Sequence, residues 1–262
     1  MTRPSISECT PQSVETETPS QPISRNKARI LAAELCTTAV IPAKPLTLTK
    51  SRLAPCLSNK ERVQISHHML LHTIRVTRNI IERVVVVSRD PTLLRAAEME
   101  GATPLVEQGT DLNEALYQAT DSASSAGAEA VLVLPADLPL LTIGDVAAIS
   151  SFAATYPVMA IAPSWPDGGT NALLLRPPSI HVFSFGPDSF ARHCSAAREC
   201  GIEPNVFWSD TLALDLDTPR DWDVLCARAG ATSFEELIAL LDSPPPTDST
   251  SHRFLDNLGT AP

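Results

Sequence analysis

No apolar run in the 262 residues approaches the roughly 20 that a membrane-crossing helix needs. No basic-then-apolar leader opens the chain either. A membrane or secreted protein is therefore not expected, and a cytoplasmic one is. Six cysteines (Cys9, Cys36, Cys56, Cys194, Cys200, Cys226) form no CxxC pair and no metal-ligand spacing. That excludes a disulfide framework as a working idea and predicts free thiols. Neither the GxxxxGKS/T phosphate loop nor GxGxxG occurs. Net positive charge is missing as well: the formal charge of −10 speaks against a nucleic-acid partner.

What is present suits a buried core, with 44% hydrophobic and 19% charged residues. The charge is unevenly spread. Residues 44–95 carry ten Lys/Arg against three Asp/Glu, whereas residues 96–241 carry five against twenty. Such a division suits a site where cations hold a polyphosphate from one side and carboxylates hold a metal on the other. Two differently charged solvated surfaces would give the same count.

Residues 1–36 are rich in Ser, Thr, Pro and Glu, with no apolar period before Ile30. They are expected to be a disordered tail with at most one helical turn near its end, dispensable for stability. The run Ser243-Pro244-Pro245-Pro246 breaks regular structure, so residues 242–262 are expected to be a second disordered tail. One domain remains, residues 37–241. Within it, apolar runs at 39–41, 84–87 and 130–134 read as strands covered on both faces. They alternate with helices opened by Ser58/Glu61, Thr92, Asp111/Glu114 and Thr142/Asp145. This is the pattern of an α/β domain with a mostly parallel sheet. Beyond residue 156 the pattern is mixed. Strands are expected at 158–162, 172–175, 206–208 and 212–216, with a helix at 190–200 and another started by Thr218-Pro219, proline in its first position. That half is expected to fold over the carboxyl edge of the sheet, where open α/β sheets bind ligands.

Five segments carry candidate chemistry. Residues 41–53 lead from a strand into a loop with Lys44, Lys50 and Arg52, able to cradle a triphosphate or simply to be solvated. Asp137, between Pro135 and Pro139 after a buried strand, suits a hard-cation ligand or a turn cap. Asp215 and Asp217, two apart in an expected strand, would share a face and ask for a cation; alternatively Asp217 caps the next helix. The turn around Thr170 and the turn from Gly186 to Ser189 bring glycine and hydroxyls together, the latter at a helix opening suited to an anion.

In order, IPAKPLTLTKSRL, VLVLPADLPLLT, DGGTNALLLRPP, FGPDSFARH and LALDLDTPRDW resemble the CofC/FbiD guanylyltransferases of deazaflavin coenzyme biosynthesis. The likeness runs from about residue 38 to 228 and takes in the helix start at Thr110–Leu116, where Asn113 departs from the family's pattern. The resemblance implies a three-layer, GT-A-like and Rossmann-like nucleotidyltransferase fold. It also implies transfer of a guanylyl group from GTP to a phosphorylated three-carbon acid, with loss of pyrophosphate. Phosphoenolpyruvate is the expected acid, giving enolpyruvoyl-diphospho-guanosine; 2-phospho-L-lactate and 3-phosphoglycerate are the alternatives. A non-catalytic nucleotide-binding protein of the same fold is the second alternative. By the same resemblance the acid lies against Thr170, Gly186 and Ser189. Mg²⁺ is held by Asp137 and Asp217 with Asp215 close by, and Lys44, Lys50 and Arg52 form the catalytic basic loop. A homodimer is left open. The missing GGxSxR loop sets the chain apart from molybdopterin and methylerythritol-phosphate nucleotidyltransferases.

Overall fold

The computed structural model describes residues 24–48, 50–164, 168–180, 182–244 and 252–254. Its centre is β1 (Thr38–Pro42), flanked in parallel by β2 (Arg83–Ser88) and by β4 (Val131–Val133), while β3 (Thr103–Val106) continues the sheet beyond β2. On the other side lie β5 (Val158–Pro163), β6 (Thr170–Arg176), β7 (Asn205–Ser209) and β8 (His252–Phe254), giving the order β3-β2-β1-β4-β6-β5-β7-β8. Among the described strands only β6 and β8 run against their neighbours. The sheet is mixed and mostly parallel, as the alternation of apolar runs and helical patterns implies.

The apolar runs form strands because both faces are buried. Ala39 and Ile41 point into one core and Val40 into the other. Four helices, α1 (Arg25–Glu34), α2 (Asn59–Arg78), α3 (Pro91–Met99) and α5 (Ile143–Ser151), cover the first face. Two, α4 (Leu112–Ser125) and α6 (Ser189–Glu199), cover the second. The result is three layers. A satellite cluster joins α7 (Pro219–Ala229) and α8 (Phe234–Asp242) to the start of α2 through Ile65, Met69, Leu225 and Leu237. Leu53 and Leu57 belong to the same cluster, so the end of the basic loop is anchored on apolar packing.

Local signals set the helix starts. Ser58 with Glu61 and Thr142 with Asp145 close reciprocal capping boxes. Asp111 caps α4, but the Glu114 carboxylate turns to Thr110 instead of completing the box. Asp90 caps α3, with Pro91 in the first position, so that helix starts before Thr92.

Several expectations need correction. Residues 25–34, placed in a disordered tail, form α1: Ser24 caps it, and Ala28 and Ala32 press against the core that α5 shares. Its buried face is two alanines wide, too narrow to register as an apolar period. Residues 1–23 lie outside the described residues. At the other end α8 reaches Asp242, and β8 pairs with β7 inside the segment expected to be a tail. Residues 212–216 are not a strand but a turn and an irregular stretch. Leu212, Leu214 and Leu216 are nevertheless all buried, which explains the alternating pattern without a ladder. Cys36, Cys56, Cys194, Cys200 and Cys226 are free thiols; Cys9 lies outside the described residues. Among the described residues no helix is long and apolar enough to cross a membrane.

Candidate active site

At the carboxyl edge of the sheet, a cavity of about 660 Å³ opens where β1, β2, β4 and β5 end and β6 begins. All nine residues singled out from the sequence border it: Lys44, Lys50, Arg52, Asp137, Thr170, Gly186, Ser189, Asp215 and Asp217. The volume suits a nucleotide with a small acid beside it.

Lys50 is the pivot of one half. Its backbone is left-handed (φ 52°, ψ 37°) as the loop enters a short 3₁₀ turn at Ser51–Leu53. Its ammonium lies 2.6 Å from Asp137 Oδ2 and 2.9 Å from Asp217 Oδ1. The side chain is only 7% exposed. Burial pulls the Lys50 pKa down, but the charges of Asp137 and Asp217 outweigh it, and the net effect is upward. Asp217 responds in the opposite sense. Burial raises its pKa, yet Lys50, and then Lys44 and Arg52, bring it below the usual carboxylate range.

The main chain holds these groups in place. Leu216 N–H donates to the Asp137 carbonyl at 3.1 Å, tying the two acidic loops together. Thr218, not Asp217, caps α7, and the Asp221 carboxylate accepts the N–H groups of Asp217 and Thr218. The Asp217 carboxylate is thereby left for the cavity. Asp90 accepts from Leu46 N–H at 3.0 Å, pinning the basic loop to the start of α3. Lys44 and Arg52, both exposed, stand at the mouth, so of the three cations Lys50 alone is spent on the aspartates.

Asp137 and Asp217 suit a divalent cation in one respect: two hard oxygen donors converge on a single positive charge, at present the Lys50 ammonium. Asp215 does not join them. Its Oδ1 accepts from Ser164 Oγ at 2.6 Å and Asn171 Nδ2 at 3.3 Å, because the irregular backbone of 214–217 gives neighbouring carboxylates different partners. Among the described residues, no group of three or more His, Cys, Asp or Glu side chains is placed to hold a metal.

The other half is bordered by the uncharged residues Thr170, Gly186 and Ser189, and several donors there are engaged within the protein, Ser189 N–H with the Gly186 carbonyl and Phe190 N–H with the Gly168 carbonyl. Ser189 opens α6, and its hydroxyl donates to Thr170 Oγ1 at 3.1 Å. Gly186 has φ +122°, a conformation that a side chain would strain. The loop around it is held from two sides. Asn113 accepts from Phe185 N–H at 2.7 Å and donates back to its carbonyl at 3.4 Å. Arg192 donates to the Ser184 hydroxyl and carbonyl, both at 2.7 Å, and to the Pro187 carbonyl. Asn113, a departure in the sequence comparison, thus serves the glycine loop. Sequence reasoning did not single out Ser164, Asn171, Arg192 or His193. For His193 a signal existed: it lies four residues after Ser189, on the same face of α6.

Residues 37–242 match the family described as "Guanylyl transferase CofC like". A phosphoenolpyruvate guanylyltransferase from Rubrobacter xylanophilus is 43% identical over 193 residues, covering 73% of this chain and 94% of that protein. A 2-phospho-L-lactate guanylyltransferase from Methanothermobacter thermautotrophicus is 35% identical over 206 residues, covering 78% and 91%. Among solved structures, one from Desulfovibrio desulfuricans G20, named among the nucleotide-diphospho-sugar transferases, superimposes with a TM-score of 0.64 at 19% identity. It covers 78% of this chain and 93% of that one, a likeness of fold.

Proposed function

The chain belongs to the family of CofC-like guanylyl transferases, and on that premise we propose that it joins GTP to phosphoenolpyruvate. The products are enolpyruvoyl-diphospho-guanosine and pyrophosphate, in the cytoplasm and in service of deazaflavin coenzyme synthesis. One observation carries the reading. One cavity is bordered by uncharged residues (Thr170, Gly186, Ser189), by exposed cations (Lys44, Arg52) and by two carboxylates (Asp137, Asp217) that share the Lys50 ammonium.

A phosphate monoester is already an anionic nucleophile near neutral pH, so the acid's phosphate oxygen can attack the α-phosphorus of GTP without a strong general base. The bond to the bridging oxygen breaks, and pyrophosphate leaves from the far side. The barrier lies in repulsion between anions and in charge build-up, so positioning and cations dominate. Lys44 and Arg52 meet the β- and γ-phosphates at the mouth. Lys50 keeps Asp137 and Asp217 from repelling the incoming nucleotide, a task different from direct contact with the phosphates. The acid lies against Thr170, Gly186 and Ser189, with the Thr170 hydroxyl as the donor to it. Asp137 and Asp217 are the residues that would hold Mg²⁺, which when bound supplies charge neutralisation at the α-phosphate.

The test is pyrophosphate release and product mass with GTP and each of phosphoenolpyruvate, 2-phospho-L-lactate and 3-phosphoglycerate. Turnover is expected to be fastest with phosphoenolpyruvate. The 35% identical relative makes 2-phospho-L-lactate the second reading. No pyrophosphate with any of the three would leave a nucleotide-binding protein without catalysis.

A further inference from the structure

Behind Thr170 sits a side chain that borders no part of the cavity. His193 is 0% exposed, and both of its ring nitrogens have partners. The Ser184 backbone N–H points at Nε2 from 3.0 Å. An amide N–H can only donate, so Nε2 carries a lone pair and the proton of the neutral ring is on Nδ1. Nδ1 lies 3.0 Å from Thr170 Oγ1 and therefore donates to it. The same oxygen accepts from the Ser189 hydroxyl at 3.1 Å. Two hydrogen bonds fill both lone pairs of the Thr170 hydroxyl. Its own proton must go elsewhere, and the side on which Thr170 meets open space is the cavity.

We propose that His193 is a positioning residue that fixes the Thr170 hydroxyl as a donor into the cavity, aimed at an anionic oxygen of the bound acid. The proposal rests on the reading that the acid lies against Thr170. A free hydroxyl rotates and can present either its proton or a lone pair; an acceptor facing a carboxylate or phosphate would repel it. The chain Ser184–His193–Thr170 removes that choice before the substrate arrives, so the cost of ordering is met in the fold. The environment keeps the ring in the required state. Burial, with the charge of Arg192 as the lesser cause, pushes the His193 pKa down to about 4. A protonated ring would turn a second N–H against that of Ser184. Phe185, edge-on to the ring at 4.8 Å between centroids, fills the space beside it.

The test is steady-state kinetics with each substrate varied in turn, together with calorimetric binding of phosphoenolpyruvate alone. It compares the wild type with His193→Leu, His193→Gln, Thr170→Val and the double variant His193→Leu/Thr170→Val. His193→Leu is expected to raise KM and Kd for the acid on the order of tenfold, the scale of one hydrogen bond to a charged group. KM for GTP and kcat should change less than twofold. His193→Gln, which keeps a donor and an acceptor, should recover most of the loss. The double variant should be no worse than Thr170→Val alone, because the histidine acts only through that hydroxyl. If His193→Leu fails to fold, His193→Asn replaces it in the cycle, being polar but too short to reach both partners. Equal effects on both substrates, or additivity with Thr170→Val, would overturn the positioning role while leaving the acid pocket standing. A Thr170→Val enzyme with unchanged affinity for the acid would overturn both.

Discussion

Lys50 and Asp217 meet across 167 positions of chain, ammonium to carboxylate at 2.9 Å, with Asp137 on the other side of the same ammonium at 2.6 Å. Lys50 thus serves as a resident counter-ion for the two carboxylates, and any divalent cation that uses them must compete with it.

Replacing Lys50 by Met should expose that competition. The variant loses about 2 kcal/mol of stability, less than a fully buried pair would, because Asp217 is 48% exposed. Added Mg²⁺ should then raise the melting temperature of Lys50→Met more than that of the wild type. Melts with chelator and with millimolar Mg²⁺ check this. An equal rise in both proteins means the carboxylates are not where the ion binds.

Asp137→Asn and Asp217→Asn should each lower kcat at least a hundredfold while the fold persists. The double variant should be little worse than either single one, since both carboxylates serve one cation. Wild-type activity of Asp137→Asn at limiting Mg²⁺ would refute the assignment.

Ser189→Ala removes the donor that fills one lone pair of the Thr170 hydroxyl and should raise KM for the acid severalfold, less than Thr170→Val does, with KM for GTP nearly constant. Gly186→Val should be more severe, because φ +122° strains any side chain there. An effect confined to GTP would reverse the two halves of the site.

Acid should destabilise the protein through His193. Its folded pKa is about 4, against 6.5 in an unfolded chain. Between those values the unfolded state holds the extra proton, so stability is full above about pH 6.5 and drains as the pH falls toward 4. The gap amounts to about 3 kcal/mol. Buried His72, also shifted downward by desolvation, adds in the same direction. Denaturant melts from pH 8 to pH 5 should show a shallower pH slope for His193→Gln than for the wild type. Parallel slopes would disprove the contribution.

At the amino-terminal side, Ala28→Arg should lower the melting temperature by several degrees. Ala28 is 0% exposed, and a guanidinium there would be buried without a partner. An unchanged melt would mean that α1 adds nothing to the stability of the core.

The parts of the fold legible in the sequence are those governed by neighbours along the chain. Ser58, Asp111, Thr142 and Thr218 cap helices as their spacing implies, and the runs around Val40, Val85 and Leu132 are strands because both their faces are covered. Elements set by distant contacts were hidden. β3, short and mostly exposed with Pro104 within it, exists because β2 offers it an edge. Leu212, Leu214 and Leu216 imitate a strand because an irregular chain crossing an apolar cluster also buries alternate residues. In the site, the nine residues singled out from the sequence all border the cavity, whereas Ser164 and Asn171, which also border it, were missed. The pairing of Lys50 with the aspartates was beyond reach, as was the separation of Asp215 from Asp217. Both depend on backbone conformation, a left-handed lysine in one case and a missing ladder in the other.

Because β6 runs against β4 and β5, the rim of the cavity displays the ends of β1 and β4 beside the beginning of β6. Asp137 follows an outgoing strand, whereas Thr170 is the first residue of a returning one. The described residues 168–180 and 182–193 therefore form a cassette. It carries Thr170, Gly186 and Ser189, the residues proposed to face the acid, on β6, the turn before α6 and the start of α6, whereas Lys50 and Asp137 sit on the loops that follow β1 and β4. On the proposed assignment, a change in the choice of acid can be confined to this cassette and leave the nucleotide machinery untouched. Exchanging it between relatives that use different acids is the shortest route to transplanting that choice.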